Sequence, residues 1–453
     1  MTIAGFPRTL FITPAAFNHV TGGGITFSTL FRGWPGDRLA TMHSDTVPTV
    51  DDVCRRYYRL GHDELARWPR FLAAAPDTPG PPAAAPPAGR PAIGRRAKRW
   101  IAGNGWPDCG RLIPRLESWI AAFEPELVYT ILGTIGMMEL VDAVRRRFAL
   151  PLVVHFMDDW PSHLYRGGML SFAARARMQA LVRRLVDVAA ERMAIGDAMA
   201  EAYAQRYGVP FSAFQNAVDM DAIDSWAGTG RAGKGTASGL HVVYAGALFD
   251  NAQAQSVIDV ARAVAALSAR GLDIRFDLYS PSHLAERFRP LIETAPCVRL
   301  HDAIEDDARF FGTIAAADIL VLPVNFDADS VRLVRYSMPT KLPAYLASGT
   351  PVLVYGPPGL AQVEDARRHG WGHVVDRRGV DEVSAALAKL SGDPDLRRTL
   401  AARARTLAVE RHDAAKVRRA FQSRLAAAAG DSAGRTAAHH AAEREAAMTR
   451  GAG

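Results

Sequence analysis

The sequence predicts an α/β protein made of two domains, each built around its own parallel β-sheet. The chain has 453 residues, which is enough for two domains of ordinary size. In both halves, short apolar runs alternate with segments that repeat their apolar residues at helical spacing. This alternation is typical of parallel strands that are covered by helices. A glycine-rich stretch, Gly228–Gly239, separates the two series and has the composition of a linker.

Each predicted strand is a run of apolar or β-branched residues bounded by turn or helix signals. In the first half the strands are Thr9–Thr13, Leu39–Met42, Leu127–Ile131, Leu152–Phe156, Arg192–Ile195 and Phe211–Phe214. In the second half they are Val242–Tyr244, Arg275–Tyr279, Val298–Leu300, Ile319–Leu322, Val352–Tyr355 and His373–Val375. Helical patterns lie between them. One such stripe consists of Val257, Ile258, Ala261, Val264 and Leu267, and Gly271 ends it.

The predicted boundaries follow from these two series. They are residues 1–227 for the first domain, 228–239 for the linker, 240–410 for the second domain, 411–429 for a last helix and 430–453 for a disordered tail. Residues 73–94 are rich in Pro, Ala and Gly and are expected to form a mobile loop within the first domain. The basic stretch 95–106 follows with two tryptophans. It is either an acceptor-side or membrane-contacting segment, or a surface segment that the two tryptophans anchor.

Composition and charge exclude several classes of protein. No apolar run reaches the length of a transmembrane helix, and the amino terminus lacks the pattern of a signal peptide. We therefore expect a cytoplasmic protein. The three cysteines, Cys54, Cys109 and Cys297, are far apart and form neither a disulfide framework nor a metal-binding pattern. The net charge of +7 suits an anionic ligand or membrane surface, but a solvated basic face is the simpler explanation. No nucleic-acid partner is expected.

The most informative segment is Tyr336–Gly356, with the sequence YSMPTKLPAYLASGTPVLVYG. It predicts a loop, a short helix over 339–348 and a strand buried on both faces. Pro339 suits the first turn of a helix, and Gly349 suits its end. A helix that begins at the edge of a parallel sheet presents free N–H groups and partial positive charge. The segment therefore predicts a phosphate site.

This segment closely resembles the donor-binding helix of GT-B glycosyltransferases, in particular the retaining family 4, whose variants read P-S/T-K-x-x-E-Y-L-A-x-G-x-P-V. The matching residues are Pro339, Thr340, Lys341, Tyr345, Leu346, Ala347, Gly349, Pro351 and Val352. The two glutamates of the family's E-x7-E pattern fall on Tyr336 and Ala344, so the motif is degenerate. The contact that the later glutamate makes with the donor ribose is therefore not implied here.

The resemblance continues at the end of the first domain. Residues 206–210 (RYGVP) and 216–219 (NAVD) are similar to the Y-G-x-P and N-G-V-D sequences of the family. The likeness implies a GT-B architecture, with two Rossmann-like domains facing across a cleft and a last helix that crosses back to the first domain. It also implies an enzyme without metal or cofactor. We therefore interpret the Asp-x-Asp sequences at 219–221 and 327–329 as chance matches to a metal motif.

The resemblance implies site residues in the first domain. The glycine run Gly22, Gly23 and Gly24 follows the first strand, where the family has a glycine-rich loop that faces the cleft. The family often has a histidine, or a His-Asp pair, at the end of the strand that here is Leu152–Phe156. Either His155 or the pair Asp158 and Asp159 could occupy that place, facing the transferred sugar. His155 could instead be a core histidine.

In the second domain the family binds the donor phosphates after the first strand, using a glycine, an arginine and a lysine. This chain has Gly246 and, near the lysine position, Gln253, but Ala247 replaces the arginine. The cations that remain are Lys341, Arg332 and Arg335, and Thr340 and Tyr345 complete the set of donor-binding candidates. Lys341 is the preferred catalytic cation because it lies in the first turn of the predicted helix; a surface lysine is the alternative.

The expected function is that of a glycosyltransferase in polysaccharide or glycolipid biosynthesis. It would move a sugar from a nucleotide-diphospho-sugar to a glycan or lipid-linked acceptor, with peripheral contact to the inner face of the membrane as one setting. The family likeness favours retention of configuration, which requires no enzymic base. Inversion would require His155 or Asp159 as the base. Two alternatives stay open: a catalytically degenerate binding or scaffolding subunit, and a sugar epimerase of GT-B fold.

Overall fold

The computed structural model describes residues 5–19, 21–67, 105–169, 171–231 and 239–430. The predicted mobile loop over 73–94, most of the predicted linker and the tail from 431 onward lie outside these ranges. The described residues form two compact units. The first contains the chain up to Phe214 and again from Arg418, and the second contains Gln215–Val417.

The first unit is built on a seven-stranded sheet in which every described strand pair is parallel. Its strands lie in the order β3-β2-β1-β6-β7-β8-β9. The strands of this unit are β1 (Thr9–Thr13), β2 (Leu39–His43), β3 (Arg56–Arg59), β4 (Leu65–Arg67), β5 (Asp108–Gly110), β6 (Leu127–Thr130), β7 (Leu152–Phe156), β8 (Glu191–Ala194) and β9 (Ser212–Ala213). Strands β4 and β5 form a separate antiparallel pair. The helices are α1 (Gly22–Phe31), α2 (Pro114–Ala121), α3 (Ile135–Arg147), α4 (Trp160–His163), α5 (Ser171–Val188) and α6 (Asp197–Tyr207).

The second unit has a six-stranded parallel sheet in the order β12-β11-β10-β13-β14-β15. Its strands are β10 (Leu240–Ala245), β11 (Ile274–Tyr279), β12 (Val298–His301), β13 (Ile319–Pro323), β14 (Val352–Tyr355) and β15 (Gly372–Val375). Its helices are α7 (Met220–Arg231), α8 (Ala254–Ala269), α9 (Ser282–Ala285), α10 (Arg289–Ile292), α11 (Asp307–Ala316), α12 (Ala328–Val334), α13 (Leu342–Ala347), α14 (Ala361–His369), α15 (Val380–Gly392) and α16 (Pro394–Arg411). Separate apolar clusters cover the two faces of this sheet, so its central strands are apolar on both sides.

The predicted α/β class with two parallel sheets is confirmed. All twelve predicted strands are present, with ends that shift by two residues or fewer. Three strands were not predicted: β3, β4 and β5. Strand β3, with the sequence RYYR, lies at the edge of the first sheet and is only partly buried. It therefore lacks the continuous apolar run that identifies a central strand.

The predicted boundary between the domains is wrong. The chain passes from the first unit to the second after Phe214, not in the stretch 228–239. Residues 228–231 continue helix α7, which packs in the second unit. The ring of Trp226 stacks on that of Phe311 with a centroid distance of 5.3 Å, and Ile223 is buried in the same core. This burial fixes the helix to the second unit.

A last helix over 414–430, α17, carries the chain back to the first unit. It was predicted over 411–429, but α16 ends at Arg411, and His412 and Asp413 separate the two helices. The fully buried ring of Phe421 packs edge-on against three aromatic rings of the first unit. The partners are Phe31 at 5.1 Å, Tyr129 at 5.5 Å and Phe214 at 5.7 Å between centroids. The core of the first unit thus depends on a segment that follows the second unit in the sequence.

None of the helices in the described ranges combines the length and apolar character needed to cross a bilayer.

Candidate functional site

The carboxyl ends of the parallel strands in the second unit form the edge at which open α/β sheets bind ligands. Strand β10 ends at Ala245, and Gly246 follows with a φ of +153°, which L side chains rarely adopt. A Cβ atom on Gly246 would lie 2.7 Å from Nζ of Lys341. The backbone conformation therefore requires glycine here, and any larger residue would also displace the lysine ammonium.

The ammonium of Lys341 lies over the ring of Tyr244, with Nζ 3.8 Å from the ring centre, and 6.0 Å from the ring centre of Tyr345. Within the described part of the chain, no carboxylate lies within ion-pair distance of this Nζ atom. Burial lowers the pKa of Lys341 to about 7. A half-buried cation with an aromatic partner and no acidic one favours an anionic ligand, because such a ligand would restore the lost electrostatic stabilisation.

The side chain of Tyr345 was predicted to bind the donor, but the structure buries it completely. Its hydroxyl accepts a hydrogen bond from the N–H of Ala245 (2.8 Å) and donates one to the carbonyl of the same residue (3.2 Å). Tyr345 thus attaches helix α13 to the end of β10. Through this attachment it places Lys341 beside Gly246.

The predicted helix over 339–348 is shorter than expected. Helix α13 begins at Leu342, so Lys341 is its N-cap residue and Pro343, not Pro339, occupies the first turn. Thr340 lies half-buried in the turn before the helix. A helix of six residues has a small dipole. The positive charge of this site therefore comes mainly from the Lys341 side chain and not from the helix end.

The two predicted arginines lie at the end of helix α12. Arg332 forms an ion pair with Asp329 at 2.7 Å on the protein surface, and such exposed pairs are weak. Arg335 is exposed and caps the carboxyl end of the same helix. Both arginines are accessible, but the structure gives neither of them a contact with Lys341 or Gly246.

Gln253 holds the loop that follows β10. Its Nε2 atom donates to the carbonyl of Ala247, and the hydroxyl of Tyr244 donates to the same carbonyl at 2.6 Å. Asn325, after strand β13, supports this loop from the other side, because its amide donates to the carbonyl of Asp250 at 2.7 Å. The side chain of Gln253 is thus engaged in shaping the loop.

Sequence reasoning missed Tyr244 and Asn325. The signal for Tyr244 was an aromatic residue directly before the strand end at Ala245. The signal for Asn325 was a fully buried polar residue after the apolar run of β13, where a functional or structural hydrogen-bonding role is expected.

In the first unit, the glycine run forms the first turn of helix α1 and not a loop. The side chain of Thr21 caps this helix and accepts from the N–H of Gly24 at 3.1 Å. None of Gly22, Gly23 and Gly24 has a positive φ. Gly24 is required for another reason, since a Cβ atom there would lie 2.3 Å from Nδ2 of Asn18.

His155 lies in the core of the first unit. Its ring is fully buried in strand β7, and Nδ1 is 2.7 Å from the hydroxyl of Tyr129. Burial lowers the pKa of His155 to about 3. The ring is therefore neutral at physiological pH and has no surface from which it could reach a ligand. The alternative of a core histidine describes this position better than that of a catalytic base.

The pair Asp158 and Asp159 is divided between surface and core. Asp158 is exposed. Asp159 is buried and accepts from Arg206 through both oxygens, at 2.8 and 3.3 Å, and from the hydroxyl of Tyr203 at 2.8 Å. Burial alone would lower the pKa of Arg206, but the hydrogen bond and charge of Asp159 raise it. Asp159 thus joins the strand end to helix α6, which is a structural role.

We expect Asp159→Ala to destabilise the protein by about 2–4 kcal/mol, because it leaves Arg206 without its counterion and the Tyr203 hydroxyl without its acceptor. Urea unfolding measures the loss. The matched control is Glu201→Ala, for which the exposed position on helix α6 predicts a change of about 0.5 kcal/mol or less. Wild-type stability of Asp159→Ala together with lost activity would instead support the catalytic assignment.

No metal site is visible in the ranges that the structure covers, since no three His, Cys, Asp or Glu residues are grouped suitably for an ion. The two Asp-x-Asp sequences lie at helix starts. Asp219 accepts from the N–H of Ala222 at 3.2 Å, and Asp327 accepts from that of Ser330 at 2.9 Å. Both aspartates therefore act as helix caps.

Residues 239–393 match the family described as "Glycosyl transferases group 1". HepE of Anabaena, solved with UDP, is similar in fold: 14% identity over 92% of this chain and 99% of that chain, with a TM-score of 0.60. Sucrose-phosphate synthase of Thermosynechococcus elongatus is 13% identical over 90% of this chain and 96% of the other, with a TM-score of 0.61.

Trehalose 6-phosphate synthase of Burkholderia multivorans is 11% identical over 94% of this chain and 99% of that chain, with a TM-score of 0.61. No curated protein matches the sequence significantly. The family match indicates the class of reaction, while the solved structures, at these low identities, indicate only the fold. Residues 239–393 are therefore a group 1 glycosyl transferase domain, and the chain is a glycosyltransferase with the GT-B fold.

Proposed function

We propose that the second unit binds a nucleotide-diphospho-sugar with its diphosphate lying against both Gly246 and the Lys341 ammonium. The enzyme transfers the sugar, with retention of configuration and without a metal ion, to a glycan or lipid-linked acceptor in polysaccharide or glycolipid biosynthesis. It acts in the cytoplasm, with peripheral contact to the inner face of the membrane.

One observation carries this proposal: the Lys341 ammonium lies at the carboxyl edge of the sheet, beside a glycine and with no acidic partner among the described residues. Transfer from a nucleotide diphosphate develops negative charge on the leaving group. A cation held in place before the reaction stabilises that charge without reorganisation. Gly246 lets the ligand approach the backbone closely. The solved structures of HepE contain UDP or UDP-glucose, which supports a donor of this class.

The proposal is tested by thermal unfolding in the presence of UDP, GDP, ADP and their sugar conjugates. A ligand that binds only the folded protein stabilises it by about 2.7 kcal/mol when its concentration is 100 times its Kd. We expect a shift with one nucleotide diphosphate and its sugar, and no shift for that ligand with Lys341→Met. Absence of a shift for every nucleotide tested would contradict donor binding in this unit.

A second function has one observation in its favour. Ala344 stands where the family has the ribose-binding glutamate, and it is only 5% exposed, within the apolar core of the second unit. Loss of that contact is compatible with a subunit that binds a sugar nucleotide without turning it over. Release of the nucleotide from the stabilising donor, followed with and without a metal chelator, distinguishes the two functions. Release in the presence of chelator supports a metal-independent enzyme, and binding without any release supports the scaffolding subunit.

A further inference from the structure

The lysine of the proposed donor site begins a helix, but the segment before it has no regular structure. This segment, residues 335–341, is the Lys341 loop. It is held at its start, where the N–H of Ala361 donates to the carbonyl of Arg335 at 2.8 Å. It is held at its end, where the N–H of Tyr345 donates to the carbonyl of Lys341 at 3.0 Å. The middle of the loop requires a separate attachment.

Asn216 provides that attachment from 122 residues away in the sequence. Its side-chain Nδ2 donates to the carbonyl of Met338 at 3.0 Å, three residues before Lys341. The other backbone bonds of this part of the loop are local, from Ser337 to Val334 and from Leu342 to Pro339. A local bond fixes the shape of a turn but not its place in the unit. The contact with Asn216, together with the packing of the Met338 side chain against the apolar core, fixes the place.

Asn216 is itself firmly held. The residue is only 5% exposed, and its own carbonyl accepts from Nδ1 of His412, a buried ring, at 2.7 Å. Two backbone bonds connect the same segments: Val218 N–H to the carbonyl of His412, and Ala414 N–H to the carbonyl of Val218, both at 2.9 Å. The side chain of Asn216 therefore projects from a doubly anchored backbone, as a positioning group must.

We propose that Asn216 is a positioning residue that, through Met338, keeps the ammonium of Lys341 over the ring of Tyr244 and beside Gly246. The placement itself rests on the contacts above. Its consequence for the reaction rests on the proposed function, because a displaced ammonium would no longer meet the donor diphosphate. Asn216 lies directly after the point where the chain enters the second unit, and His412 lies shortly before the point where it leaves. Asn216 and its partner His412, which position the Lys341 loop, thus lie next to the two points at which the chain enters and leaves the second unit.

The test follows the ionisation of Lys341, which does not require activity. The chain contains five lysines, Lys98, Lys234, Lys341, Lys389 and Lys416, so reductive methylation with a carbon-13 label gives few NMR signals. The signal of Lys341 is the one missing in Lys341→Met, and in the wild type it titrates near pH 7 because burial lowers its pKa. Asn216→Leu keeps the volume of the side chain. It removes the amide that donates the hydrogen bond to Met338 and adds no charge.

We expect the Lys341 midpoint in Asn216→Leu to rise by about one pH unit or more, since an ammonium that leaves its buried place regains hydration. The kcat/KM for the donor should fall about tenfold or more, because a displaced ammonium no longer stabilises the charge on the leaving group. Asn216→Ser, whose hydroxyl is too short to reach Met338, should change the Lys341 midpoint and the donor kinetics in the same direction. It replaces the leucine variant if that variant does not fold. Gln179→Glu, an exposed amide of helix α5 in the first unit, is the control and should change neither quantity.

An unchanged Lys341 midpoint in the folded variants would overturn the positioning role, whatever happens to donor kinetics. A raised midpoint with an unchanged kcat/KM for the donor would uphold the positioning role and reject Lys341 as the diphosphate ligand. The two proposals therefore fail in different measurements.

Discussion

Lys341→Met is expected to lower donor turnover by about 100-fold or more while making the folded protein more stable at neutral pH. Removal of one preorganised group that stabilises developing negative charge typically costs about 3–4 kcal/mol of transition-state stabilisation. Methionine fills the space of the lysine stem over the ring of Tyr244 but carries no charge. Release of nucleotide from the donor, measured with and without acceptor, reports the loss.

The gain in stability follows from the lowered pKa of Lys341, about 7 in the folded protein against the ordinary 10.5. Between these two values the unfolded chain binds more protons than the folded one, so wild-type stability rises with pH across this window. Below pH 7 the full penalty of burying the ammonium is present. Because the side chain keeps partial contact with solvent, we expect a difference of about 1–3 kcal/mol there.

Urea unfolding at about pH 6, 8 and 10 tests this expectation. The stability advantage of Lys341→Met should be largest at the lowest pH and close to zero at the highest. Lys389→Met is the matched control, because Lys389 is exposed on helix α15, and it should alter neither stability nor turnover appreciably. A variant that turns over the donor at the wild-type rate, or whose stability relative to wild type does not depend on pH, would contradict the role of Lys341.

Phe421→Ala is expected to destabilise the first unit by about 3–5 kcal/mol, as is typical for removal of a fully buried aromatic ring. The ring contacts Phe31, Tyr129 and Phe214 from helix α17, and together these rings close one side of the sheet. The cavity left by alanine cannot collapse easily because rigid aromatic side chains surround it.

The measurement for Phe421→Ala is chemical unfolding, with tryptophan fluorescence as the probe, since Trp34 lies 5.4 Å from Phe31 between ring centres. Phe172→Ala serves as the control in the same unit, because Phe172 is 85% exposed and its loss should change stability by about 0.5 kcal/mol or less. Equal stability of the two variants would show that helix α17 contributes nothing to this core.

Much of the fold could be predicted because buried parallel strands carry a local signal. Strands β7 and β14 are buried along their whole length, and short runs of this kind between turn signals are typical of central parallel strands. The boundary error arose where two signals competed. The glycines of 228–239 suggest a linker, but Met220, Ile223 and Trp226 recur at helical spacing and bury α7 in the second unit. The helical spacing of the apolar residues indicates the structure of this segment correctly, whereas its glycine content does not.

The candidate site was predictable to a lesser degree, because the role of a polar side chain depends on partners that are often far away in the sequence. Asp159 is paired with Arg206, 47 residues later, and the hydroxyl of Tyr345 reaches Ala245, 100 residues earlier. No local pattern encodes such pairs. Lys341 could be selected because its segment matches a family motif, while its unusual environment depends on Tyr244 and Gly246, which only the folded chain brings to it.

The return of helix α17 has a consequence for how a cell makes this protein. During synthesis the ribosome releases the amino-terminal strands first, yet Phe421 emerges only after the whole second unit has been translated. Many multidomain proteins complete their leading domain early, but here that domain stays open until the second one is fully made. The nascent chain must therefore be shielded from aggregation for most of its translation, which predicts dependence on a holding chaperone that binds exposed aromatic surface.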